Sequence, residues 1–96
     1  MTAMVHQETV SHTVTIRYFA WVRERIGHSE DHVVLPAAVG TIADLITWLS
    51  NRGSNYAEAF KHPPAIRAAL DRVHVKHDAV IGEAREIGFF PPVTGG

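Results

Sequence analysis

Phe89-Phe90-Pro91-Pro92-Val93-Thr94-Gly95-Gly96 closes the chain, and the rest of the sequence is best read outward from it. Two aromatics that suit a strand run directly into two prolines. Proline fixes φ and has no backbone N–H, so Pro91 and Pro92 cannot extend a sheet and instead lead the chain away as an extended arm. At about 3.3 to 3.6 Å per residue, the arm from Pro91 to Gly96 reaches roughly 20 Å, enough to enter a cleft on another protein. Gly95 and Gly96 carry no Cβ, which suits a narrow channel. The group such an arm delivers is the α-carboxylate of Gly96.

Upstream, the order of elements is legible from spacing. Met1 to His12 is polar and aperiodic and reads as a loose extension, residues 1–12. Thr13 to Phe19 alternates Val14, Ile16 and Tyr18 against Thr13, Thr15, Arg17 and Phe19, the period of a strand. Trp21 to Ile26 has helical spacing, with Gly27 suited to the left-handed position that closes a short helix. His32 to Leu35 is a β-branched run ended by Pro36, expected to pair with the first strand as a hairpin.

Thr41 opens the clearest helix. Thr41 and Asp44 form a capping pair, and Ile42, Leu45, Ile46 and Leu49 fall on one face, with Gly53 as the expected stop. A single helical turn is expected at Tyr56 to Phe60, and a short helix at Ala65 to Leu70 with Pro64 at its first position. Val73 to His77 then reads as a third strand and Glu86 to Phe90 as the fourth. The sum is an α+β fold, a mixed sheet packed against one main helix. The domain is expected over residues 13–90, followed by the tail, 91–96.

Composition sets limits on function. Of 96 residues, 46% are apolar and 20% charged, a globular balance for one small domain. A formal net charge of −1 supplies no general field for nucleic acid or an anionic membrane, so neither is expected as a partner. The absence of cysteine excludes disulfides, zinc-thiolate sites and a thiol nucleophile. Any sulfur this chain handles comes from elsewhere. The first twelve residues have neither the basic start nor the apolar run of a signal peptide, so a cytoplasmic location is expected.

The ending Phe89 to Gly96 closely resembles the C-terminus of the small subunits of molybdopterin synthase, which are ubiquitin-like sulfur carriers. Tyr18-Phe19-Ala20 followed by Arg23-Glu24 is similar to the same family's aromatic-aromatic-Ala-x-x-Arg-Glu. The resemblance implies a β-grasp, or ubiquitin-like, fold whose first and last strands lie parallel in the middle of the sheet. It implies that an E1-like adenylating enzyme uses ATP to activate Gly96, that a persulfide relay supplies sulfur, and that the product is a thiocarboxylate. It further implies insertion of the tail into the synthase large subunit, in a heterotetramer, where sulfur passes to cyclic pyranopterin monophosphate. No cofactor is bound by the chain itself in this scheme. Related readings are a carrier for thiamine thiazole or tRNA thiolation, against which the Phe-Phe-Pro-Pro segment argues, and a ubiquitin-like protein modifier. The chain departs from the family before the last strand. Ile81-Gly82-Glu83-Ala84-Arg85-Glu86 replaces the usual Leu-x-x-Gly-Asp-Glu turn.

Candidate site residues follow from both lines of reading. Gly96, with Gly95, carries the chemistry. Phe90, Pro91, Pro92, Val93, Thr94, Phe19 and Arg23 are the candidates for contact with partners. Phe89 and Phe90 face opposite ways, so one belongs to the core and the other faces out. For Phe90, anchoring a partner and ordinary packing both fit, and for Arg23 so do pairing with a partner's acid and lying on a solvated helix face. Seven histidines raise the question of metal. His74 and His77 are three apart on an expected strand and point opposite ways, and His28 and His32 straddle a turn without further ligand spacing, so no metal site is expected.

Overall fold

The computed structural model describes residues 12–92. Five strands form one sheet in the order β2-β1-β5-β3-β4. β1 (His12–Tyr18) and β2 (Glu30–Leu35) make the expected antiparallel hairpin, joined through α1 (Ala20–Ile26). β5 (Glu86–Phe90) inserts beside β1 in parallel, with Tyr18 opposite Phe89. Its other edge pairs antiparallel with β3 (Arg67–Leu70), which turns tightly into β4 (Val73–Val75).

α2 (Ile42–Ser50) is the main helix on the sheet, and α3 (Ser54–Ala59) packs beside it and α1. The Thr41 hydroxyl accepts the Asp44 N–H at 3.1 Å, and the Asp44 carboxylate accepts the backbone N–H groups of Gly40 and Thr41 at 3.0 and 3.1 Å. Those two backbone donors hold the Asp44 carboxyl below its ordinary range. Ile42, Leu45, Ile46 and Leu49 are all buried, as their spacing predicts. They meet Val14, Ile16 and Tyr18 of β1 and Ile87 and Phe89 of β5 in one core. Each fully buried aliphatic side chain there contributes about 1.5 to 3 kcal/mol. Gly27 closes α1 at φ 101, its N–H donating to Arg23 O at 2.8 Å.

Several expectations are corrected. β1 begins at His12 rather than Thr13, so His12 leaves the expected extension, and residues 1–11 lie outside the described residues. α2 ends at Ser50, and Gly53 precedes α3 instead of stopping the long helix. The expected helix at Ala65 to Leu70 does not form. A 3-10 turn occupies Pro63–Ala65, and Arg67–Leu70 is strand. Arg-Ala-Ala-Leu has helical propensity, but pairing on both edges, with β5 and β4, overrides it. Val73–Val75 is therefore the fourth strand and Glu86–Phe90 the fifth. Among the described residues no helix is long and apolar enough to cross a membrane.

Candidate functional site at the root of the tail

β5 sends Ile87 and Phe89 into the core, both 0% exposed. Phe89 meets Phe60 edge to face at 5.2 Å between ring centroids. Its neighbours Glu86, Gly88 and Phe90 lie on the opposite, outer face by the period of two. Parallel pairing brings the ends of β1 and β5 to the same place: the Phe19 N–H donates to Phe89 O at 3.0 Å. Ala20 then takes φ 53 and redirects the chain into α1. A Cβ on Gly88 would sit 3.4 Å from Phe19 Cε2, so the missing side chain lets the Phe19 ring lie over bare backbone.

The result is a concavity of about 310 Å³ on the outer face. Phe19, 45% exposed, and half-buried Phe90 are its aromatic walls, with Gly88 and Ala69 between them. The His74 ring of β4 packs on Phe90 at 5.0 Å. Arg17 Nε lies 3.2 Å from Glu86 Oε2, and Arg72 Nε 3.9 Å from Glu86 Oε1.

The β3–β4 turn holds this surface in place. Asp71 and Arg72 take φ 47 and 73, a two-residue left-handed turn that usually carries Asn-Gly or Asp-Gly. The Asp71 carboxylate accepts the N–H groups of Arg85 and Glu86 at 3.0 and 2.9 Å, which fixes the start of β5. The atypical segment before β5 closes as a tight turn, with Gly82 at φ 59 and the Ala84 N–H donating to Ile81 O at 3.1 Å. Sequence reasoning missed Arg17, Arg72 and His74 as members of this surface, because its residues meet only across four strands, β1, β5, β3 and β4.

The predicted partner-binding residues fall into one neighbourhood where they are described. Phe19, Phe90, Pro91 and Pro92 cluster at the shared end of β1 and β5, with both prolines outside the strand and half-buried. Arg23 is exposed one helical turn beyond Phe19, and its side chain makes no ion pair among the described residues. Val93, Thr94, Gly95 and Gly96 lie outside the described residues. His74 and His77 part company, as His77 Nε2 bonds Ile66 O at 2.8 Å. No group of three or more His, Asp or Glu side chains is disposed to hold a metal among the described residues.

A second polar cluster braces the other side of the domain. The hydroxyls of Tyr18 and Tyr56 both donate to Asp31 Oδ2, at 2.9 and 2.6 Å, and His28 Nε2 lies 3.0 Å from the same carboxylate. Burial pushes the Asp31 carboxyl up, but hydrogen bonds from Tyr56, His28 and Tyr18 outweigh it and leave it below its ordinary value. Burial, and then the bond to Asp31, raise both tyrosines.

With this geometry in place, likeness to known proteins is decisive. The ThiS family model matches residues 16–96, nearly the whole of the described domain and the tail. The chain belongs to the ThiS family. It is 34% identical over 89 residues to the molybdopterin synthase sulfur carrier subunit of Mycosarcoma maydis, covering 88% of this chain and 94% of that one. To the subunit of the same name from Escherichia coli (strain K12) it is 30% identical over 83 residues, 86% and 99% of the two chains. A solved structure assigned as molybdopterin converting factor, subunit 1, from Pyrococcus furiosus superposes with a TM-score of 0.66 at 27% identity, over 84% of this chain and 98% of that one. SAMP1 from Haloferax volcanii superposes with a TM-score of 0.63 at 18% identity, over 88% and 100%. The likeness to SAMP1 proteins bears on architecture alone, and that architecture is the ubiquitin-like β-grasp.

Proposed function

We propose that this ThiS-family chain is the sulfur-carrying small subunit of molybdopterin synthase, working in the cytoplasm. The observation that carries the reading is the parallel β1–β5 pairing. It sets Phe19 beside Phe89 and Phe90 and leads the chain out through Pro91 and Pro92 from a central strand. Identity to two sulfur carrier subunits over most of both chains supports it.

In this reading the Gly96 carboxylate attacks the α-phosphorus of ATP on an E1-like enzyme, and pyrophosphate leaves. A sulfur nucleophile from a persulfide relay then attacks the acyl carbon, AMP departs, and the thiocarboxylate results once the donor's S–S bond is cleaved by a thiol. The loaded tail enters the large subunit, in a heterotetramer of two small and two large chains. There it passes sulfur to cyclic pyranopterin monophosphate, which needs two such transfers for its dithiolene. The small subunit contributes the reactive terminus and the docking surface. Acid, base and substrate-binding groups come from the large subunit.

The test is complementation of a strain lacking its own molybdopterin synthase small subunit. Restored molybdoenzyme activity, lost again when Gly96 is deleted, is the expected result. Failure to restore it, with rescue of a strain lacking the thiazole sulfur carrier or with isopeptide conjugates to lysine, would overturn the assignment.

A further inference from the structure

We propose that the outer-face concavity receives an acidic side chain from the partner that takes up the tail, a carboxylate seated against Arg17 and Arg72 beside an apolar group. This rests on the docking role just assigned to that face. Two guanidiniums point at one carboxylate there. Glu86 is held closely by Arg17, at 3.2 Å, but only loosely by Arg72, at 3.9 Å, and the Arg72 side chain is 81% exposed. Glu30 stands opposite Arg17 in the β1–β2 register, but it is engaged by His32 Nε2 at 2.9 Å. Arg67 faces Phe90 across β3–β5 on the same side of the sheet.

The lining of the recess itself sets Arg17 and Arg72 against the single carboxylate of Glu86, an excess of one positive charge on a chain whose formal net charge is −1. Between the charges and the aromatic walls lies an apolar floor of Gly88 and Ala69. A carboxylate arriving there meets in Arg72 a guanidinium with donors that Glu86 does not use. Paired charges of this kind contribute mainly to the choice of partner and the rate of encounter. The left-handed turn at Asp71 and Arg72 aims the Arg72 side chain, and the Asp71 bonds to Arg85 and Glu86 keep it in register with β5.

The experiment is calorimetric titration of the cognate large subunit with the full chain at low and high salt, for wild type, Arg72→Glu, Arg72→Lys and Phe90→Ala. Arg72→Glu is expected to weaken binding on the order of tenfold or more at low salt, to lose most of the salt dependence, and to leave the melting temperature unchanged. Arg72→Lys should recover most of the affinity. Phe90→Ala should weaken binding about equally at both salts. Wild-type binding that Arg72→Glu leaves intact would overturn the acidic-partner proposal while sparing the assigned function. No wild-type binding would overturn both.

Discussion

Phe89 and Phe90 are the same residue type, adjacent on one strand, and the structure uses them for opposite purposes. Phe89 is fully buried against Phe60 and opposite Tyr18. Phe90 stays half-buried on the outer face against His74. The pleat alone separates them: one side chain fills the core under the helices, and the next lies at the rim of a recess, directly before Pro91 and Pro92. The inner face is specified by packing, and the outer face is left with groups that packing does not require. Gly88, Ala69 and three arginines are hard to explain as stabilisers of a five-stranded sheet.

The strongest way to break this contrast is at its inner half. Phe89→Ala should destabilise the domain by about 3 to 5 kcal/mol in chemical denaturation, through lost burial and the cavity left behind. A loss below about 1 kcal/mol would remove Phe89 from the core. Next in size is the polar brace of Tyr18, the one inner-face residue of β1 that must satisfy a hydroxyl. Asp31→Asn should cost about 1 to 3 kcal/mol, since it weakens acceptance of two tyrosine hydroxyls at once.

The same brace gives a pH signature. The lowered Asp31 carboxyl contributes stability that is present above its ordinary value of 3.8 and is lost as pH falls through its folded value. The raised Tyr18 hydroxyl contributes stability that is present below its ordinary value of 10.0 and is lost as pH rises beyond it. Melting temperature against pH should therefore be flat between those limits for these groups, with an acid limb that shrinks in Asp31→Asn. An unchanged acid limb would assign it to other carboxylates.

On the outer face the effects on stability should be small and those on binding large. Gly88→Val adds side-chain atoms where Phe19 Cε2 already lies 3.4 Å from an added Cβ, so the ring must swing away. Stability should change by no more than about 1 kcal/mol, since strand propensity favours valine, while affinity for the large subunit falls. Phe90→Ala should cost about 1 kcal/mol or less in stability, and its main effect should appear in binding. A reversed pattern for Phe90 would move it into the core with Phe89.

Much of the frame was legible in the sequence because its signals are local. Thr41 with Asp44 announces the start of α2, Gly27 the end of α1, and Pro91 the end of β5. β3 was hidden because Ala68 and Ala69 carry little strand character and owe their conformation to two neighbouring strands. Its turn was hidden as well, since Asp71 and Arg72 adopt left-handed backbone without the glycine that normally marks it. The charged recess was illegible for a similar reason. Arg17, Arg72, His74 and Glu86 come together only once sheet order and register are set. The resemblance at the two ends located the aromatic part of the same surface, and the parallel pairing explains why those two motifs belong together.

The most direct test is the intact mass of the chain after incubation with ATP, an E1-like adenylating enzyme and a sulfur donor. The predicted result is a gain equal to the replacement of one oxygen by sulfur, mapped to Gly96. An unchanged mass for the wild-type chain, with the same enzyme and donor shown to load a proven sulfur carrier, would contradict it.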